Sequence, residues 1–228
     1  MFSVASLALV AYLLGSIPFG YIVAKARRVD LTTIGSGNIG STNIYRALGL
    51  KVALLVFLLD AGKGFVGTRI VPLVWKTGLE PGTLRFICGM AVILGSVAGV
   101  FMRFRGGKGV ATGAGVFLGL APLATGICIT VWAILVAITR YVSLGSLVAA
   151  AMLPILLGAL ETSGTSRNPV FYLSVAVALV VFVRHRSNLK RLLAGRENRV
   201  GRVKMNPSAA NKAGPCATGV AGTEEGKQ

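Results

Sequence analysis

The chain has 228 residues, of which only 14% are charged, and a mean hydropathy of +0.74, which excludes an ordinary soluble domain and indicates an integral membrane protein. Its formal net charge is +17, but most cations stand in short segments beside apolar runs. The charge therefore reads as a positive-inside signal and as contact with anionic lipid headgroups, not as a nucleic-acid footprint. Three scattered cysteines, one histidine and seven carboxylates give no disulfide framework and no metal site.

Residues 1–24 carry no charge, so they lack the basic start of a signal peptide and read as a retained first span. Pro18, with Gly15 and Gly20 near it, predicts a bend there. Lys25, Arg27 and Arg28 close the span, which puts its end in the cytoplasm and the N-terminus outside. Residues 31–50 are polar and glycine-rich: Gly35-Ser36-Gly37-Asn38-Ile39-Gly40-Ser41-Thr42-Asn43, then Ile44-Tyr45-Arg46. Ser, Thr and Asn offer hydrogen bonds, and Arg46 offers a fork that fits phosphate. A helix N-cap accounts for one of Ser41, Thr42 and Asn43, but not for the whole cluster.

Residues 52–74 form a second apolar run, with Asp60, Lys63 and Arg69 inside it. Asp60 lies roughly 13 Å along a helix from Lys51, so it must face protein or a wet cleft. Asp60 and Lys63 share a helix face and are expected to form an ion pair that braces the bundle. Residues 76–83 read as a short outer loop. Residues 84–102 return inward, with Gly89, Gly95 and Gly99 placed for close helix packing.

The next stretch, Arg103 to Gly115, sets three cations and five glycines in thirteen residues between apolar runs. A concave row of N–H groups beside Lys108 and Arg105 is the composition of an anion cradle. A helix starting near Thr112 would aim its positive end at the same anion. It is not a Walker A loop, because Gly109 follows Lys108 where Ser or Thr would be needed.

Residues 113–139 are small and apolar, interrupted by Pro122. Residues 141–160 and 169–183 are further spans, separated by a polar loop. If 113–139 crossed once, the basic tail from Arg184 onward would lie outside, against the positive-inside rule. Splitting the run near Pro122 into a short, buried helix and a full span restores the parity. The expected architecture is an all-α bundle of about seven transmembrane helices, some short or broken, N-terminus out and C-terminus in. The last motif is Arg184-His185-Arg186-Ser187-Asn188-Leu189-Lys190-Arg191, then Gly195, Arg196, Glu197 and Asn198. His185 and Asn188 would share a helix face, with Asn188 placed to orient the imidazole. Residues 1–200 read as one membrane domain, and 201–228 as a disordered basic tail.

Three distant segments thus meet one membrane face with phosphate-type groups, one histidine and no nucleophile–base–acid triad. Such a site binds and orients phosphates, and best suits a substrate that arrives already activated. The stretches GSGNIGSTNIYRALG, FRGGKGVATGAG and HRSNLKRLLAGRENR closely resemble, in order, the three motifs of the bacterial acyl-phosphate-dependent glycerol-3-phosphate acyltransferases. The segment Tyr141 to Ser146 resembles that family as well, and the likeness covers about residues 1–200.

The resemblance implies transfer of an acyl group from acyl-phosphate to the first hydroxyl of glycerol 3-phosphate, giving lysophosphatidic acid and phosphate. It implies no metal, no cofactor and no nucleic-acid partner. It also implies a bacterial inner-membrane location with the site facing the cytoplasm, and a functional link to the enzyme that makes acyl-phosphate. Matched by motif, Ser36, His185 and Asn188 are the expected catalytic residues. Gly37, Asn38, Asn43, Arg46, Arg105 and Gly106 are expected to bind substrate or phosphate. So are Gly107, Lys108, Gly109, Thr112, Ser143, Ser146, Arg191 and Glu197. His185 is expected to position the substrate more than to act as an obligate base. The competing class is a transporter or channel for an organophosphate anion, which would need polar groups near the midplane and usually internal repeats. No repeat is visible, and Asp60 with Lys63 are the only features in its favour.

Overall fold

The computed structural model describes residues 3–74, 78–160 and 169–200. The tail 201–228, the polar loop 161–168 and part of the outer loop at 75–77 lie outside the described residues. The described chain is helical throughout. α1 (Val4–Ser16) starts at Ser3, whose hydroxyl accepts from the Ser6 amide at 3.2 Å. Pro18, with no N–H to give, ends it, and the chain bends into α2 (Phe19–Ala26). The break frees the Ile17 carbonyl, which accepts from the Lys63 ammonium at 2.8 Å, while Lys63 pairs with Asp60 at 2.7 Å. The expected ion pair therefore forms, and it braces the α1–α2 elbow in particular.

The polar stretch is only partly a loop. After Gly40 it becomes α3 (Ser41–Leu48), and α4 (Leu50–Phe65) follows directly through Gly49. A π-type segment and a 3₁₀ turn extend α4 to Leu73. α5 (Pro81–Val97) is capped by the Glu80 carboxylate, which accepts from the Thr83 amide at 2.9 Å. α6 (Val110–Leu120) and α7 (Pro122–Thr139) part at Ala121, as Pro122 predicts. α8 (Val142–Leu160), α9 (Pro169–Arg184) and α10 (Arg186–Leu193) complete the described chain, with a 62° bend between α9 and α10.

By length and hydropathy, four of the described helical runs can cross a membrane, or five if α9 and α10 count as one bent span. α6 has 11 residues and is too short alone. The larger core is built from α1, α5, α6 and α9 around Leu7, Val92, Ile93, Phe117 and Leu173. α1 and α5 pack backbone to backbone where Gly95 meets Tyr12, and a side chain at Gly95 would strike that carbonyl. A smaller core around Ile44 and Val56 seats α3 on α4. This packing brings the α1–α2 elbow, the loop before α3, the loop before α6 and the α9–α10 break to one end of the bundle.

Candidate active site

The glycine-rich loop is built against the end of α5. The amides of Arg105, Gly106 and Gly107 donate to the carbonyls of Met102, Val97 and Ser96 at 2.9, 3.1 and 3.0 Å. A Cβ at Gly106 would collide with the Ser96 and Val97 carbonyl oxygens, so only glycine permits this fit. The carbonyls of Gly106 and Gly107 in turn accept from the Arg184 guanidinium at 2.7 and 3.0 Å. This corrects the expected amide cradle: those three N–H groups are already bonded to the main chain. What the loop offers is Lys108 and the first turn of α6, whose leading amides have no intrahelical acceptor. Gly109, at φ 76°, makes the left-handed turn that starts α6 at Val110, two residues before the expected start. Arg105 is exposed and does not line the cavity.

The Lys108 ammonium donates to the Asn188 side-chain oxygen at 2.6 Å. The Asn188 amide donates to Glu197 Oε1 at 2.6 Å, where Ser143 also donates at 3.0 Å. Arg191 donates to Glu197 Oε2 at 2.8 Å. Glu197 is thus a buried acceptor for three side chains from two helices, and it fixes Asn188 under Lys108. Asn188 does not orient His185. The ring of His185 is held by the Val181 carbonyl, 2.9 Å from Nδ1. A carbonyl can only accept, so Nδ1 carries the proton and Nε2 is the bare acceptor of the neutral ring.

Burial pushes the Lys108 ammonium down to about 8, with Arg191, Arg46 and Arg184 adding repulsion and Glu197 opposing it. Burial, and then the charge of Lys108, push His185 down to about 4, so its ring is neutral near pH 7. Arg46 reaches the Asn198 carbonyl at 3.4 Å, and its buried Nε has no partner among the described residues. A buried donor left without an acceptor costs about 1–3 kcal/mol.

The first loop is shaped from within. The Asn43 side chain accepts from the Ser36 amide at 3.2 Å and donates to the Leu31 carbonyl at 3.2 Å. Asn38 accepts from the Gly40 amide at 3.0 Å. Ser36, Asn38 and Asn43 all line the cavity, whereas Gly37 does not. The Thr112 hydroxyl is bonded to Ser96 at 2.9 Å, and Ser146 to the Val142 carbonyl at 2.8 Å. One cavity of about 530 Å³ joins these groups to His185, Asn188, Glu197, Lys108 and Arg46. Arg191 reaches it only through Glu197. Arg184 was not singled out by the sequence, because a cation just after a span is the default there. Chemically, the arrangement can hold phosphate groups against Lys108 and Arg46, with Glu197 behind them as a counter-charge, and it offers a hydroxyl one bare imidazole nitrogen.

A family model described as glycerol-3-phosphate acyltransferase matches residues 5–195. A Geobacter sulfurreducens protein named glycerol-3-phosphate acyltransferase is 43% identical over 191 residues, covering 83% of this chain and 94% of that one. A protein of the same name from Aquifex aeolicus is 44% identical, with coverage of 85% and 97%. The fold is similar to crystal structures of PlsY (YgiH), an integral membrane glycerol 3-phosphate acyltransferase. Its glycerol 3-phosphate form has a TM-score of 0.77 at 39% identity, covering 87% of this chain and 96% of that one. Its lysophosphatidic acid form has a TM-score of 0.75 at 38% identity, with coverage of 86% and 94%.

Proposed function

The chain belongs to the glycerol-3-phosphate acyltransferase family, and from that premise we propose that it acylates glycerol 3-phosphate with acyl-phosphate as donor, giving lysophosphatidic acid and phosphate. It is an all-helical, multi-pass membrane enzyme. The observation that carries the donor assignment is that one cavity is lined both by Arg46, Lys108 and the start of α6 and by apolar side chains of α4, α7, α8 and α9. The polar part suits two phosphates, one per substrate, and the apolar part suits a chain.

In the reaction the sn-1 oxygen attacks the acyl carbon, the bond from that carbon to the bridging phosphate oxygen breaks, and phosphate leaves. The mixed anhydride is already activated, so the enzyme's part is to position both substrates and to stabilise developing charge. Lys108, backed by Asn188 and Glu197, and Arg46 hold the phosphates. His185 Nε2 accepts a hydrogen bond from the attacking hydroxyl, and Ser36, which lines the same cavity, is a further substrate contact. The departing phosphate takes the proton. A ring whose conjugate acid sits at about 4 is a weak base at neutral pH, which favours this positioning role. His185→Asn, which keeps a hydrogen bond, should therefore retain clearly more kcat than His185→Ala. Equal, very low rates for both would assign His185 as the obligate base.

Residues 1–200 act as one catalytic domain in this reading. Seven crossings, with α4 and its extension as one and α6 as a short one, put the site on the cytoplasmic face of a bacterial inner membrane, where the enzyme that makes acyl-phosphate would supply the donor. A cysteine placed at Ser187 should then react with an impermeant thiol reagent only from the cytoplasmic side. Labelling from outside would overturn this orientation.

The experiment for the donor uses proteoliposomes and labelled glycerol 3-phosphate. Label should enter the lipid fraction only when acyl-phosphate is added. Label accumulating as unmodified glycerol 3-phosphate inside the vesicles, without a donor, would favour a transporter instead.

A further inference from the structure

From the cavity's lining we infer that the α7–α8 arm holds the acyl chain and that Ala150, Leu153 and Thr125 measure its length, a specificity device that rests on the acyl-phosphate reading. The cavity leaves the polar site along helix-period stripes. On α8 it follows Ser143, Ser146, Ala149, Ala150 and Leu153. On α7 it follows Val136, Trp132, Ile129, Cys128 and Thr125, and below His185 it follows Val181 and Val177 of α9. The α8 and α9 stripes begin at the site itself: Ser143 is bonded to Glu197, and Val181 holds the ring of His185 through its carbonyl.

The two longer stripes match in depth. Val136 to Thr125 and Val142 to Leu153 each span about 16 Å of helix. Along that depth the polar atoms are already paired. Trp132 Nε1 donates to Ser146 at 3.3 Å, Ser146 to the Val142 carbonyl, and Thr125 to the Ala121 carbonyl at 2.8 Å. The arm therefore asks for an apolar occupant. Its deep end is walled by Thr125 and Cys128 and by Val177 of α9, at 3%, 6% and 6% exposed, whereas on the cavity's other apolar side, on α4, Leu50 and Leu54 are 59% and 51% exposed beside a buried Ala53 at 6%. Ile129, 41% exposed, leaves the flank open for a chain to slide in from the bilayer.

The test compares octanoyl, lauroyl and palmitoyl phosphates in purified wild type, Ala150→Trp, Leu153→Trp and Leu153→Ala. Overfilling a packed site costs about tenfold to a hundredfold. Leu153→Trp should therefore lower kcat/KM for palmitoyl phosphate by about tenfold or more relative to octanoyl phosphate. Ala150→Trp, about one turn shallower, should also exclude lauroyl phosphate, and Leu153→Ala should shift the preference toward longer donors. The KM for glycerol 3-phosphate should stay near wild type in each. Leu54→Trp, on the open α4 side, should leave the chain-length ratios unchanged.

In wild type, an acyl-phosphate with a diazirine at its tail should crosslink to peptides holding Thr125 or Leu153, a readout that needs no variant to fold. Ratios that do not move in the α8 variants, or crosslinks on α4 peptides, would overturn the assignment while leaving the donor reading intact. Wild type that makes no lysophosphatidic acid from any of the three donors would overturn the donor reading itself, and the ruler with it.

Discussion

Lys108→Ala is expected to lower kcat/KM for glycerol 3-phosphate by about tenfold to more than a hundredfold while inserting and purifying like wild type, because a hydrogen bond to a charged group contributes about 1.5–3 kcal/mol. Lys108 is the least replaceable cation at the site. The loop that carries it is fixed by two main-chain hydrogen bonds to the end of α5, by a third to Met102, and by Arg184 from below. Its ammonium is aimed by Asn188.

The same residue sets a pH dependence. In the free enzyme its conjugate acid lies at about 8, below the usual lysine range, so the cation is present below that pH and lost above it. kcat/KM for glycerol 3-phosphate should fall as pH rises through about 8. A bound phosphate favours the charged form, so the fall in kcat should lie at higher pH. Lys108→Arg should abolish the alkaline fall and still be impaired, since a planar fork does not reproduce a compact ammonium. Activity within about twofold of wild type for Lys108→Ala, far below the loss expected for a charged contact, would remove Lys108 from the site.

Glu197→Ala should be the more damaging change, because it acts on stability and activity together. Its carboxylate accepts from Ser143, Asn188 and Arg191, and losing two such bonds at about 1.5 kcal/mol each is more than a hundredfold. Asn188 would lose its anchor, and Lys108 both its aim and its nearest counter-charge. We expect a lowered Tm in detergent and kcat/KM reduced by about a hundredfold or more. Glu197→Gln, which keeps one acceptor oxygen but not the charge, should recover most of the Tm and little of the activity. Wild-type Tm and activity in Glu197→Ala would show that the hydrogen-bond hub is dispensable.

Much of this site is legible in the sequence because polar and glycine-rich stretches stand out in an apolar chain. Pro18 and Pro122 mark helix breaks by chemistry alone, since neither can donate to a helix ladder. Charge beside the spans locates the site's face. What is not legible is pairing across the fold. Lys108 meets Asn188 from 80 residues away, and Ser143 meets Glu197 from 54. Helical spacing put Asn188 beside His185, yet the ring is oriented by its own helix through Val181. Composition made the Gly106 and Gly107 amides look free, because nothing local shows that the end of α5 supplies their acceptors. Arg105 shared the motif's charge but is turned to the exposed side. Asn43 belonged to the polar cluster for a different reason: both ends of its amide shape the loop that carries Ser36.

The use of acyl-phosphate as donor is tested most directly by product stoichiometry with a defined donor. Purified protein in detergent or bilayer would receive glycerol 3-phosphate with acyl-phosphate, acyl-CoA or acyl carrier protein, each in turn. Phosphate and lysophosphatidic acid would be measured together. Equal amounts of both products are expected from acyl-phosphate and neither from the thioesters. Lysophosphatidic acid formed from a thioester, or phosphate released without lysophosphatidic acid, would contradict it.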